Sequence, residues 1–102
     1  MNTFTFTGSI LKNIKDYNTT IKATVVDRRL EQMPDGNYRS KFVASRQVTI
    51  FDPELQKILR ANITDTDTEL VVDLVGYETS TLSEKTKQWY DNKIVTELLV
   101  KG

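Results

Sequence analysis

The stretch Thr20–Phe51 (TIKATVVDRRLEQMPDGNYRSKFVASRQVTIF) decides how the rest of the chain is read. It holds two arms of strand-like alternation around Met33-Pro34-Asp35-Gly36-Asn37. In that turn Pro34 presets φ, Asp35 supports the bend and Gly36 takes a positive φ. On the first arm, Thr20–Gln32, the residues Ile21, Ala23 and Val25 face one way and Lys22, Thr24, Val26 and Arg28 the other. On the returning arm, Tyr38–Phe51, unbroken alternation puts Tyr38, Phe42, Ala44, Val48 and Ile50 on one face. Arg39, Lys41, Val43, Ser45, Gln47, Thr49 and Phe51 then share the other. Arg28, Arg29, Arg39, Lys41 and Arg46 cluster on these arms, so the whole reads as a long basic hairpin.

Working outward, Asp52-Pro53-Glu54 is a helix start: an Asp N-cap, Pro at the first helical position and an acid in the first turn. Leu55, Ile58 and Leu59 give that helix an apolar stripe, and it fades near Asn62. Upstream, Thr3–Leu11 reads as a strand with Phe4, Phe6 and Ile10 apolar and a bulge or bend at Gly8. Lys12–Asn18 reads as a polar connection around Ile14 and Tyr17. Downstream, Thr64–Thr68 is a linker, Glu69–Thr79 a fourth strand with Leu70, Val72 and Leu74 inward, and Ile94–Val100 a fifth. Ser80–Lys93 between them is a hairpin tip carrying Lys85, Lys87, Trp89 and Tyr90. Three strands, a helix and two strands is the order of an OB-fold, a five-stranded Greek-key barrel with the helix between strands three and four. The expectation is an all-β chain with one short helix, a single OB-fold domain over residues 1–102.

Composition removes most chemistry. The chain has no Cys and no His, so it lacks a disulfide framework, a thiolate site and the commonest general base and zinc ligand. There is no G-x-S-x-G, no glycine-rich phosphate loop and no paired nucleophile and base, which argues against an enzyme. No cofactor is implied. The acidic string Asp65-Thr66-Asp67-Thr68-Glu69 alternates like a calcium loop but lacks its glycine and distal glutamate, so it reads as a solvated linker and no metal is expected. No apolar run approaches the ~18 residues of a membrane span, and Met1–Thr7 alternates like a strand rather than a signal peptide. An intracellular protein without a membrane association is the expectation. Formal net charge is zero, yet residues 1–60 hold ten Lys or Arg against six Asp or Glu, and residues 61–102 four against eight. A +4/−4 split leaves room for a basic face, and it is the local field that draws phosphate.

Laid end to end, these segments resemble the bacterial-type single-stranded-DNA-binding protein family, in the short form found on phages and plasmids. The likeness is carried by the opening strand ending Gly8-Ser9-Ile10-Leu11, the basic strand Val25-Val26-Asp27-Arg28-Arg29, Gln47-Val48-Thr49-Ile50-Phe51 leading into the helix, Leu70–Gly76, and the closing Thr96-Glu97-Leu98-Leu99-Val100. It implies non-specific binding and protection of single-stranded DNA during replication, recombination or transfer, in the cytoplasm of a bacterial host cell. By position Phe51 matches the aromatic closing the family's third strand, and Trp89 and Tyr90 lie near its last-hairpin aromatic. Ser45 falls where a stacking tryptophan usually stands. Family members often end in an acidic recruiting tail, whereas this sequence ends at Lys101-Gly102, so recruitment by such a tail is not expected.

A single strand is held by cations along its phosphates and by rings on which bases stack, worth ~1–3 kcal/mol per base. The candidate phosphate contacts are Lys22, Arg28, Arg29, Arg39, Lys41 and Arg46 on the first hairpin, with Lys85 and Lys87 on the second. The candidate stacking residues are Phe51, Tyr77, Trp89 and Tyr90. Six engaged cations would give a salt slope of about −4. Structural alternatives stand beside these: Phe51 as a barrel cap, Trp89 as hairpin packing, and Arg28-Arg29 in cross-strand ion pairs with Asp27 and Glu31; Tyr38, in the apolar phase, reads as core or hairpin packing. The rival functions are a protein-interaction or virion structural module on the same barrel, and RNA or oligosaccharide on the same face. Exposed edges and a modest core make a homo-oligomer, dimer or tetramer, the expected state.

Overall fold

The computed structural model describes residues 2–101, and the side chains of Arg28, Arg29 and Phe42 lie outside what it describes. The elements run β1 (Asn2–Asp16), β2 (Ile21–Gln32), β3 (Tyr38–Ile50), α1 (Pro53–Asn62), β4 (Leu70–Leu82) and β5 (Trp89–Val100). The strands close into one barrel in the order β1-β2-β3-β5-β4. Neighbours are antiparallel except at the closure, where β3 meets β5 in parallel at Thr49 and Ile94. This is the OB-fold. Among the described residues no helix is long and apolar enough to cross a membrane.

Inside lie Leu11, Ile21, Val25, Val48, Ile50, Val72 and Leu74, with Leu55 and Leu59 of α1 packed against them. The helix starts as its sequence dictates. The Asp52 carboxylate accepts a hydrogen bond from the Glu54 amide at 2.8 Å, with Pro53 inside the first turn. Its apolar stripe differs from the expected one, because Ile58 is exposed and the third buried position is Gln56. That exchange is possible because both ends of the Gln56 amide are occupied, Nε2 donating to backbone carbonyls and Oε1 accepting from Arg60.

Bulges account for the other departures. β1 pairs continuously with β4, but its register shifts between Phe6 and Ser9 at Gly8. The Gly8 amide there donates to the Asp73 carboxylate at 2.8 Å, which holds that carboxyl below its usual range. Past the shift, Ser9 and Leu11 face the interior, and Ile10, one of the strand's three apolar positions in the sequence reading, faces out. The expected connection Lys12–Asn18 is mostly strand too. A second shift between Lys12 and Lys15, with Asn13 at φ 51°, lets β1 coil on to Asp16. On β3 the shift falls between Ala44 and Phe42, leaving Val43 as the extra residue. This reverses the phase of the outer hairpin. Tyr38 pairs with Gln32 on the outward face and is 64% exposed, so it is not a core residue.

The turn itself is as expected, with Gly36 at φ 87° and its amide donating to the Met33 carbonyl at 2.9 Å. The second hairpin is longer than its polar sequence implies. β4 and β5 remain paired out to Leu82 and Trp89, so the turn shrinks to about Ser83–Gln88. Polar cross-strand pairs hold this ladder: Lys93 with Glu78 at 2.7 Å, Ser80 with Asp91 at 2.9 Å, and Asn92 with Thr81 at 3.2 Å.

Gly76 marks the tightest crossing. It pairs with Phe4 on one side and Val95 on the other, and a Cβ there would run into the Ile94 carbonyl oxygen and the Phe4 ring. Backbone cannot yield as a side-chain tip can. Gly76→Ala is expected to lose ~1–3 kcal/mol of stability, read as a lower urea midpoint at unchanged slope.

Candidate nucleic-acid interface

Register determines which candidates share a surface. Counting from Lys22 and its partner Thr49, the outward face of the first hairpin carries Thr24, Gln47 and Ser45. On the second hairpin the matching face carries Tyr77 opposite Ile94, Thr79 opposite Asn92, and Thr81 opposite Tyr90. The two faces meet across the β3–β5 closure in a groove lined by Lys22, Thr49, Phe51, Thr79, Asn92 and Ile94, with Thr81 at its end. Phe51 is 53% exposed there. It stands on the wall of the groove, not in the core. Tyr90 follows Thr81 on the same face, and its hydroxyl lies 3.2 Å from the Thr86 hydroxyl. Lys22, three aromatic rings and a floor of hydroxyl and amide groups thus occupy one face.

Trp89 and Tyr90 do not stand together. Trp89 pairs with Leu82 in the phase of Ser80–Asp91 and Glu78–Lys93, which leads back to Gly76 and the barrel interior. At the hairpin tip that phase is open, and Trp89 is 67% exposed on the side away from the groove. A single residue of alternation separates the two neighbours.

The cations also divide. Arg46 pairs with Val25 and Arg39 with Glu31, both out of phase with Lys22. Arg39 is bound to Glu31 at 3.1 Å, and the Arg46 guanidinium donates to the Ser45 carbonyl. Lys41 pairs with Arg29 and is exposed; Arg28 pairs with Phe42. In the second hairpin Lys87 contacts Glu84 at 3.2 Å and Lys85 is exposed in the turn. These surface pairs are weak, and a phosphate can compete for either cation.

Sequence reading missed a polar knot that ties α1 to the end of β3 and to the β1–β2 turn. Gln56 Nε2 donates to the carbonyls of Ile50 at 2.9 Å and Thr19 at 3.0 Å, and Arg60 bridges Gln56 to Asp16. The Arg60 guanidinium, donating to Asp16 at 2.7 and 3.0 Å, holds that carboxyl at about 2. A polar residue at a stripe position of α1 was the only signal of it.

The sequence matches no protein-family model and no curated relative. Solved structures do match. A Plasmodium falciparum single-stranded-DNA-binding protein, solved in complex with single-stranded DNA, superposes with a TM-score of 0.61 at 11% identity, over 100% of this chain and 96% of that one. Rim1, a mitochondrial single-stranded-DNA-binding protein of S. cerevisiae, gives 0.61 at 10% identity over 97% and 93%. The small single-stranded-DNA-binding protein of Streptomyces coelicolor gives 0.56 at 7% identity, again over 97% and 93%. At such identities the likeness is one of fold, and the fold of this chain is the OB-fold barrel on which these single-stranded-DNA-binding proteins are built.

Proposed function

We propose that the protein binds single-stranded DNA without sequence preference, in the groove between its two hairpins, and protects it during replication, recombination or transfer. The observation that carries this reading is the joint placement of Phe51, Tyr77 and Tyr90 with Lys22 on one polar sheet face. Rings accept any base, and a cation contacts phosphate, so neither element reads sequence. Arg28, Arg29, Lys41, Lys85 and Lys87 supply the surrounding field, and the groove excludes a duplex because its rings need unstacked bases.

The test is an anisotropy titration of labelled oligo(dT) at two salt concentrations, with duplex and oligo(U) as comparisons. Saturable binding that weakens with salt and is absent for duplex supports the reading. A failure to bind at low salt leaves a barrel for protein contact, the role that the exposed Leu82–Trp89 pair away from the groove would then serve.

Self-association belongs to the same proposal. Ile10 and the exposed Val71 pair across β1 and β4, with Leu99 exposed beside them on β5, and the buried Val26 flanks this row on β2. A second copy covering this row makes the expected dimer or tetramer. Val71→Glu with Leu99→Glu is expected to reduce the mass seen by light scattering to that of one chain; a wild-type monomer would refute it.

A further inference from the structure

A second cleft, of about 490 Å³, opens at the β1–β2 end of the barrel, lined by Ile14, Lys15, Tyr17, Lys22, Thr24 and Gln47. This volume lies in the range of small-ligand sites, about 300–1,000 Å³. Three features of the cleft have no role in the fold. Lys15 and Lys22 are direct cross-strand partners, a like-charge juxtaposition that costs stability in the free protein. Neither is in an ion pair among the described residues. The nearest acid in sequence, Asp16, is already occupied by Arg60, and Asp65 accepts from the Asp67 amide within its own turn. Tyr17, at the tip of the β1–β2 turn, is 56% exposed, and only its backbone is used, donating to the Thr20 carbonyl and accepting from the Thr19 amide.

Lys22 lines both this cleft and the groove. The two depressions therefore share a wall, and a strand leaving the groove past Lys22 enters the cleft. We propose that the cleft is a second nucleotide subsite, in which Lys15 and Lys22 together hold one phosphate and Tyr17 stacks on the adjoining base. An anion between the two lysines removes their repulsion, and the ring supplies what a bare cation pair lacks. The subsite rests on the single-strand reading and extends it, placing one end of the bound strand over the β1–β2 turn.

The test compares wild type, Tyr17→Ala, Tyr17→Phe and Lys15→Ala by anisotropy on oligo(dT) of graded length. On long oligonucleotides Tyr17→Ala should weaken binding roughly 5- to 150-fold, the equivalent of one stacked base, while Tyr17→Phe keeps wild-type affinity. Lys15→Ala should flatten the salt slope by about 0.7. On oligonucleotides short enough to fill only the groove, all four proteins should bind alike. Equal affinity of wild type and Tyr17→Ala on every length would overturn the subsite and leave the groove intact. A uniform loss on every length would overturn the placement at the end of the path. Absence of binding by wild type at low salt would remove the subsite and the single-strand reading together.

Discussion

Phe51→Ala combined with Tyr90→Ala is expected to weaken oligo(dT) binding at least about 30-fold, without flattening its salt dependence. Each ring offers a stacking face worth ~1–3 kcal/mol, so two of them are worth ~2–6 kcal/mol, and even the lower figure exceeds a factor of ten. The salt slope counts phosphates neutralised, and neither substitution removes a cation. Both rings are about half exposed and neither belongs to the buried core, so the variant should unfold at nearly the wild-type temperature. Lys22→Ala is the complementary change: a smaller loss of affinity, and a slope flatter by ~0.7. Trp89→Ala should leave affinity nearly untouched, since its side chain stands on the other face of the hairpin. An unchanged affinity in the double variant, or a large loss in Trp89→Ala, would move the binding surface off this groove.

That contrast between neighbours shows where sequence reading stops. Period-two alternation, the Pro34-Asp35-Gly36 turn and the Asp52-Pro53 helix start are local signals, and each states its own conformation. They were enough for the element order and for the first hairpin. A strand's facing is not local, because one bulge reverses every residue beyond it. Val43 turned Tyr38 outward, Gly8 exchanged Ile10 for Leu11 in the core, and the shift after Lys12 carried β1 through what reads as a loop. These bulges let long strands coil around a small barrel, a requirement of closure that no single segment expresses. The site suffered accordingly. Its residue types were legible, but their division between two faces was not, and the Lys15–Lys22 pair could not be recognised until the register set the two side by side.

Gln56→Leu is expected to destabilise the fold by roughly 2–4 kcal/mol, which for a chain of this size lowers the unfolding temperature by about 10–25 °C. Leucine fits the space and even improves the apolar stripe, so a hydrophobic account alone predicts a gain. The hydrogen bonds reverse the sign. Gln56 is 4% exposed, and its amide serves the Ile50 and Thr19 carbonyls. Without it the buried Ile50 carbonyl at the end of β3 loses a donor, at ~1–3 kcal/mol, and Arg60 loses one of its acceptors. Asp16 sets the pH window of the same knot. Its carboxyl titrates at about 2 when folded against an ordinary 3.8, so its contribution is complete above 3.8 and is lost as pH falls towards 2. Asp16→Asn should therefore be less stable than wild type at neutral pH, and the gap should close on acidification through that window. The knot joins α1 to the β1–β2 turn on one side and to the strand end carrying Phe51 on the other. Loosening it should also cost affinity for oligo(dT) in protein that is still folded, because Phe51 and Tyr17 would no longer be held in fixed relation. If Gln56→Leu proves as stable as wild type, water reaches the Ile50 carbonyl and the helix is held by its leucines alone.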